Sequence, residues 1–133
     1  MGNNVHDKLF KSTFSQVEHV KGEIQRMLPP AFVARLDLTT LARCPGSFVD
    51  EALKERHTDL LFSVSVAGRK AFVYILCEHQ STVDVLMAFR LLCYLVRVWQ
   101  SYLDDHPDAR LLPAIIPLVV HHSERGWTAA TAF

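Results

Sequence analysis

Two apolar segments in the middle of the chain each carry an acidic residue, and they restrict the fold more than any other feature. The first reads Thr58-Asp59-Leu60-Leu61-Phe62, and the second reads Val73-Tyr74-Ile75-Leu76-Cys77-Glu78-His79-Gln80-Ser81. Both patterns predict β-strands. A carboxylate in a buried strand is costly unless a cation, a metal or hydrogen bonds compensate it. Two such residues on neighbouring strands therefore suggest one shared site.

The two strands are predicted over 59–66 and 71–80, joined by a short turn at 67–70. Centring the hairpin on Gly68-Arg69 sets Asp59 directly opposite Glu78, with Cβ atoms roughly 4.5–5.5 Å apart. Two carboxylates at that distance either share a proton or hold a divalent cation. Oxygen ligands favour Mg²⁺ or Mn²⁺ over zinc. The alternative is that each is an ordinary carboxylate, solvated at a strand end.

Gln80 follows Glu78 by two residues and is expected on the same face of the strand. Its side chain can orient a water molecule or a phosphate oxygen. It cannot act as a base, because an amide holds no removable proton near neutral pH.

The surrounding pattern predicts an α/β fold, with a mixed sheet flanked by helices. An amphipathic helix is predicted from Asp7 to Leu28, and a long helix, apolar nearly all round, from Asp84 to Leu103. A further buried strand is predicted over 114–120. Between the first helix and the hairpin, a short helical turn is predicted over 31–38. A Pro-Gly turn flanked by short extended pieces is predicted within 39–49.

Composition excludes several classes of protein. The chain has 133 residues, of which 50% are hydrophobic and 21% charged, and its net charge is zero. These values predict one globular domain over 1–133 and argue against nucleic-acid binding by bulk positive charge. The polar N-terminus and the lack of a membrane-length apolar run predict a cytoplasmic protein. The uncapped end at Phe133 suggests an N-terminal fragment of a longer chain.

Two arginines and four histidines are further candidates. Arg90 and Arg97 lie one heptad apart on the long predicted helix, where they either neutralise phosphate or extend from the rim of a buried helix. The histidines flank the predicted strand ends, but their spacing matches no familiar zinc motif. They are His57, His79, His121 and His122.

Several segments together resemble the Rpn family of recombination-promoting nucleases, also called YhgA-like transposases. The resemblance covers essentially the whole chain and rests on the segments 6–11, 47–51, 55–61, 78–81, 87–92 and 116–122. It implies a restriction-endonuclease-like core of the PD-(D/E)XK type. In that motif Asp59 takes the first acidic position, Glu78 the second, and Gln80 the place that lysine usually occupies.

The resemblance implies Mg²⁺-dependent hydrolysis of DNA phosphodiester bonds, linked to recombination or mobile elements. Asp59 and Glu78 would hold the metal, with Mn²⁺ as a substitute, while Gln80 would position water and Arg90 and Arg97 would contact DNA. A homodimer would suit an enzyme that cuts both strands. Two rival hypotheses are a catalytically weak binding module on the same fold and a transposase with three carboxylates in an RNase H-like fold. The short spacing and the Glu-x-Gln pattern favour the restriction-type fold over the transposase.

Overall fold

The computed structural model of the chain describes residues 17–79, 84–123 and 126–129. Its elements in chain order are α1 (Val17–Met27), α2 (Pro30–Val33), β1 (Leu36–Cys44), a 3₁₀ helix (Glu51–Leu53), β2 (His57–Val66), β3 (Arg69–Glu78), α3 (Met87–Asp105), β4 (Ala114–Ser123) and β5 (Gly126–Ala129). None of the described helices is long and apolar enough to cross a membrane.

The described strands form one mixed sheet in the order β1-β2-β3-β4-β5. Strands β3 and β4 run parallel and are connected through α3, whereas the other neighbouring pairs are antiparallel. A parallel connection needs a crossover of a dozen or more residues, which the long helix supplies. The α/β class with a mixed sheet is therefore confirmed.

Helices cover both faces of this sheet. On one face Val20 and Ile24 of α1 pack with Phe62 and other residues of β2 and β3. On the other face Leu91 and Tyr94 of α3 pack against the alternate residues of the same strands. The period-2 alternation of each strand thus places one set of side chains in each core.

The β2–β3 hairpin differs from its prediction in register. The turn contains only Ala67 and Gly68, whose φ angles are 50° and 79°. Positive φ at both positions is the geometry of a type I′ turn, the favoured two-residue hairpin connection. The hairpin centre therefore lies between these residues, and Glu78 pairs with His57 rather than with Asp59. The predicted direct opposition of the two carboxylates is wrong.

Other boundaries also differ from the predictions. The helical turn expected over 31–38 ends early, at Val33, because β1 begins at Leu36. The extended piece expected before Pro45-Gly46 is part of this nine-residue strand, which is longer than predicted. Helix α3 is buried on its sheet side only: Phe89, Leu92 and Val96 are 60%, 52% and 40% exposed. A helix that is apolar nearly all round predicts burial on much of its circumference, and this expectation is wrong.

Candidate active site

The two predicted acidic residues lie on the same face of the sheet, the face covered by α3. Asp59 and Glu78 are each only 2% exposed. Asp59 pairs with Leu76 and Glu78 with His57, so the two carboxylates are diagonal neighbours. Such positions are roughly 7–8 Å apart in an antiparallel pair. The structure thus brings the pair to one region of one face, although not into direct opposition.

Asp59 is surrounded by hydrogen-bond donors. Its Oδ1 accepts a bond of 2.6 Å from Ser47 Oγ, and its Oδ2 accepts bonds of 2.7 Å from the Phe48 backbone N–H and the Tyr74 hydroxyl. Burial and the negative charge of Asp59 raise the pKa of Tyr74 far above its usual value. Tyr74 therefore stays protonated and remains a donor. A carboxylate offers about four acceptor positions, so roughly one is left for another ligand.

The donors Ser47 and Phe48 belong to the 45–50 loop, which α3 holds from its other side. Arg97 donates through Nη1 to the Phe48 carbonyl at 2.8 Å and through Nη2 to Asp50 Oδ1 at 2.6 Å. The Phe48 ring also makes an edge contact with Tyr74, with centroids 6.4 Å apart. Arg97, predicted as a phosphate ligand, therefore holds the loop that donates two hydrogen bonds to Asp59.

Glu78 has a different environment. Its Oε2 lies 3.4 Å from His57 Nε2, and neither of these buried atoms has a hydrogen-bond partner among the described residues. On the other side of the imidazole, His57 Nδ1 lies 3.4 Å from the Tyr94 hydroxyl. Buried polar atoms without partners are rare and costly, and they often mark a missing water, ion or ligand.

Arg90, the other predicted phosphate ligand, forms an ion pair with Asp84 at the start of α3. Arg90 Nε donates to Asp84 Oδ2 at 2.8 Å, and the Leu86 backbone N–H donates to Oδ1 at 2.9 Å. The bond from the Leu86 N–H is the main cause that lowers the pKa of Asp84, and Arg90 lowers it further.

Two further predicted candidates, His79 and Gln80, are not placed at the two carboxylates by the described contacts. Thr58 Oγ1 bonds His79 Nε2 at 2.7 Å, and Cys77 Sγ lies 3.7 Å from His79 Nδ1. Burial raises the pKa of the Cys77 thiol well above its ordinary value, so it is neither a nucleophile nor a ready metal ligand near neutral pH. Gln80 lies outside the described residues, so its predicted place beside Glu78 stays a prediction.

Within the described residues, no three His, Cys, Asp or Glu side chains are grouped to hold a metal ion. This finding gives no support to the zinc alternative. It is compatible with Mg²⁺, which usually keeps several waters and takes only one or two protein carboxylates. The unpartnered Oε2 of Glu78 and the remaining acceptor position of Asp59 are oxygen donors of the kind that this ion prefers.

The sequence interpretation gave no supporting role to five side chains around the two carboxylates: Ser47, Asp50, His57, Tyr74 and Tyr94. Of these, only His57 was a candidate, as a histidine at a strand end. A local signal existed for His57 and Tyr74, since both share the α3 face with the carboxylates by the period-2 rule. The 45–50 loop gave no such signal, because its contacts with Asp59 and Arg97 join residues far apart in sequence.

Comparison with known proteins identifies relatives over nearly the whole chain. A family model described as "Putative transposase, YhgA-like" matches residues 4–133. The chain is 37% identical over 120 residues to recombination-promoting nuclease RpnD of Escherichia coli O157:H7, covering 90% of this chain and 46% of the relative. It is 35% identical over 117 residues to recombination-promoting nuclease RpnA of Escherichia coli K12, covering 88% and 39%.

Another similar protein carries a different description. The inactive recombination-promoting nuclease-like protein RpnE of Escherichia coli K12 is 31% identical over 119 residues, covering 90% of this chain and 39% of the relative. The chain thus spans less than half the length of these three relatives. No solved structure matches it.

Proposed function

Because the chain belongs to the family of YhgA-like transposases and resembles recombination-promoting nucleases, we propose that it is a nuclease domain that hydrolyses DNA phosphodiester bonds. The observation that carries this proposal is the pair of buried carboxylates, Asp59 and Glu78, on one face of a mixed sheet. A restriction-endonuclease-like core is the finer fold that goes with this function.

Asp59 and Glu78 are the proposed holders of Mg²⁺, with Mn²⁺ as a substitute. When bound, such a metal polarises a phosphoryl oxygen and lowers the pKa of its water ligand. Ser47, Phe48 and Tyr74 fix the orientation of the Asp59 carboxylate through their hydrogen bonds. Gln80 is proposed to orient the attacking water.

Arg90 and Arg97 are proposed to contact DNA phosphates in addition to their intramolecular partners. A guanidinium group has five N–H donors, and each arginine uses only part of this set in the described contacts. Their acidic partners Asp84 and Asp50 reduce the net positive charge available to phosphate, so we expect a modest contribution to affinity.

One observation favours a second function, a binding module without catalysis. Three donors already occupy Asp59, which leaves it less free than a typical metal ligand. A similar protein is also described as inactive, and glutamine stands at the motif's usual lysine position. On this hypothesis the same face binds DNA or protein but does not hydrolyse it.

Nicking of a supercoiled plasmid separates the two functions. The parent chain, Asp59→Ala, Glu78→Ala and a control, Asp108→Ala, would each be assayed with Mg²⁺ and with EDTA. Asp108 is exposed in the segment that follows α3. We expect nicking by the parent and the control with Mg²⁺ only, and none by the other two variants. Nicking that persists in both carboxylate variants would exclude the proposed site. A folded parent that shifts DNA in a gel without cutting it supports the binding module.

A further inference from the structure

The buried pair of His57 and Glu78 is not explained by the two-carboxylate site. His57 is 1% exposed and stands directly opposite Glu78 across the β2–β3 ladder. Side chains at directly opposed positions are the closest cross-strand neighbours, with Cβ atoms roughly 4.5–5.5 Å apart. The imidazole is therefore one of two direct cross-strand neighbours of the Glu78 side chain, the other being His121 of β4.

The contacts of the imidazole are consistent with one arrangement of its ring proton. If the Tyr94 hydroxyl donates to Nδ1, then Nε2 carries the ring proton and can donate to Glu78 Oε2. Burial raises the pKa of Tyr94, so this hydroxyl keeps its proton near neutral pH. The order Tyr94–His57–Glu78 is then a chain of donors that ends on the carboxylate.

Both links of this chain are long. The distances from the Tyr94 hydroxyl to Nδ1 and from Nε2 to Oε2 are each 3.4 Å, beyond the roughly 2.7–3.2 Å of a usual N–H···O hydrogen bond. Only the second link leaves both of its atoms without a hydrogen-bond partner among the described residues. Hydrogen bonds in active sites are often long in the free protein and shorten when the ligand is bound. Both atoms are buried and lack another partner among the described residues, so closing this bond satisfies both.

We propose that His57 is a positioning residue for Glu78, holding its carboxylate so that an oxygen is presented to the divalent cation. This inference rests on the proposed function, since it assumes that Glu78 is a metal ligand. Residues that hydrogen-bond a metal-binding group commonly matter about 10–100-fold in metal affinity. His57 is expected to fall in that range without contacting the metal.

Mn²⁺ binding, followed by the electron paramagnetic resonance of the free ion, tests the inference without requiring catalysis. The variants are His57→Leu, which cannot donate, His57→Gln, whose amide N–H can still donate, and His106→Gln as an exposed control. We expect Kd to rise about 10–100-fold in His57→Leu. It should stay close to the parent value in His57→Gln and in the control.

A smaller substitution, Tyr94→Phe, controls for the case in which His57→Leu fails to fold. Tyr94→Phe removes only the hydroxyl that orients the imidazole, and we expect a rise in Kd of a few-fold with an unchanged circular dichroism spectrum. Parent-like Kd values in both His57→Leu and Tyr94→Phe would overturn the inference. Electron spin-echo modulation from a directly bound ¹⁴N that is present in the parent and lost in His57→Leu would also overturn it, because His57 would then be a ligand.

Failure of the proposed function gives a different pattern. A parent chain that binds no Mn²⁺ would refute the metal site and, with it, the role of His57. A parent that binds Mn²⁺ through Glu78, as shown by loss of binding in Glu78→Gln, but is insensitive to His57→Leu would refute the positioning role alone.

Discussion

Asp59 and Glu78 are equally buried on one face of one hairpin, yet their charges are compensated in opposite ways. Asp59 accepts three short hydrogen bonds, two of them from the 45–50 loop. Glu78 Oε2 lies 3.4 Å from His57 Nε2, without a hydrogen bond. The three donors hold the Asp59 carboxylate in place, whereas Glu78 Oε2 has no hydrogen-bond donor among the described residues. Burial alone therefore does not indicate how the charge of a carboxylate is compensated.

The largest expected difference is in stability. Asp59→Asn replaces a charged acceptor of three bonds by an amide that cannot accept them all, so we expect a loss of about 2–4 kcal/mol. Glu78→Gln removes a buried charge that lacks adequate partners, so we expect a change below about 1 kcal/mol, of either sign. Urea unfolding of the two variants and the parent measures both values. Equal losses in the two variants would refute the contrast.

A smaller effect is expected at the far side of the 45–50 loop. Arg97→Met removes the bonds to Phe48 and Asp50 from a side chain that is 40% exposed, so screening by water limits the loss to about 1 kcal/mol. If the bonds of Arg97 keep the loop donors in place at Asp59, the losses of unfolding free energy should not add. The double variant Arg97→Met/Asp59→Asn should then differ from the sum of the single variants by at least about 0.5 kcal/mol. Strict additivity would show that the two anchors act independently.

The smallest expected effect is on stability and concerns Asp84, whose carboxylate is paired with Arg90. Its pKa in the folded chain is lowered, mainly by the Leu86 N–H and then by Arg90. A lowered folded-state pKa stabilises the fold above the unfolded pKa, and this contribution disappears as the pH falls through the folded value.

We therefore expect Asp84→Asn to lower the Tm by about 1–3 °C at neutral pH, with the difference from the parent vanishing in acid. Thermal melts over a pH series would measure it. A difference that grows towards acid pH would contradict the assigned sign.

Much of the fold was predictable from local patterns. The apolar alternation of β2 and β3, the long helix after them and a strand over 114–120 were all predicted, and the structure contains them, the last as Ala114–Ser123. The full length of β1 was not predicted, because it depends on pairing with β2, a contact between segments that are distant in sequence. The family was also recognisable from short segments that span the chain.

The candidate site was predictable as residue types but not as geometry. A one-residue difference in the centre of the hairpin turn changed the partner of Glu78 from Asp59 to His57. The positive φ at Ala67 is responsible, and alanine gives no sequence signal for that conformation. The predicted phosphate ligand Arg97 likewise became an anchor, because its partners lie almost fifty residues earlier in the chain.

The sequence by itself determined that two acidic residues would lie in buried strands, since alternation and apolar runs are local properties. Only the tertiary structure decided how each charge is compensated. Donors such as Ser47 and the imidazole of His57 reach the carboxylates through loop placement and strand register. Loop placement and strand register depend on a turn conformation and on contacts between distant segments. For this reason Asp59 accepts three hydrogen bonds, whereas Glu78 Oε2 accepts none among the described residues.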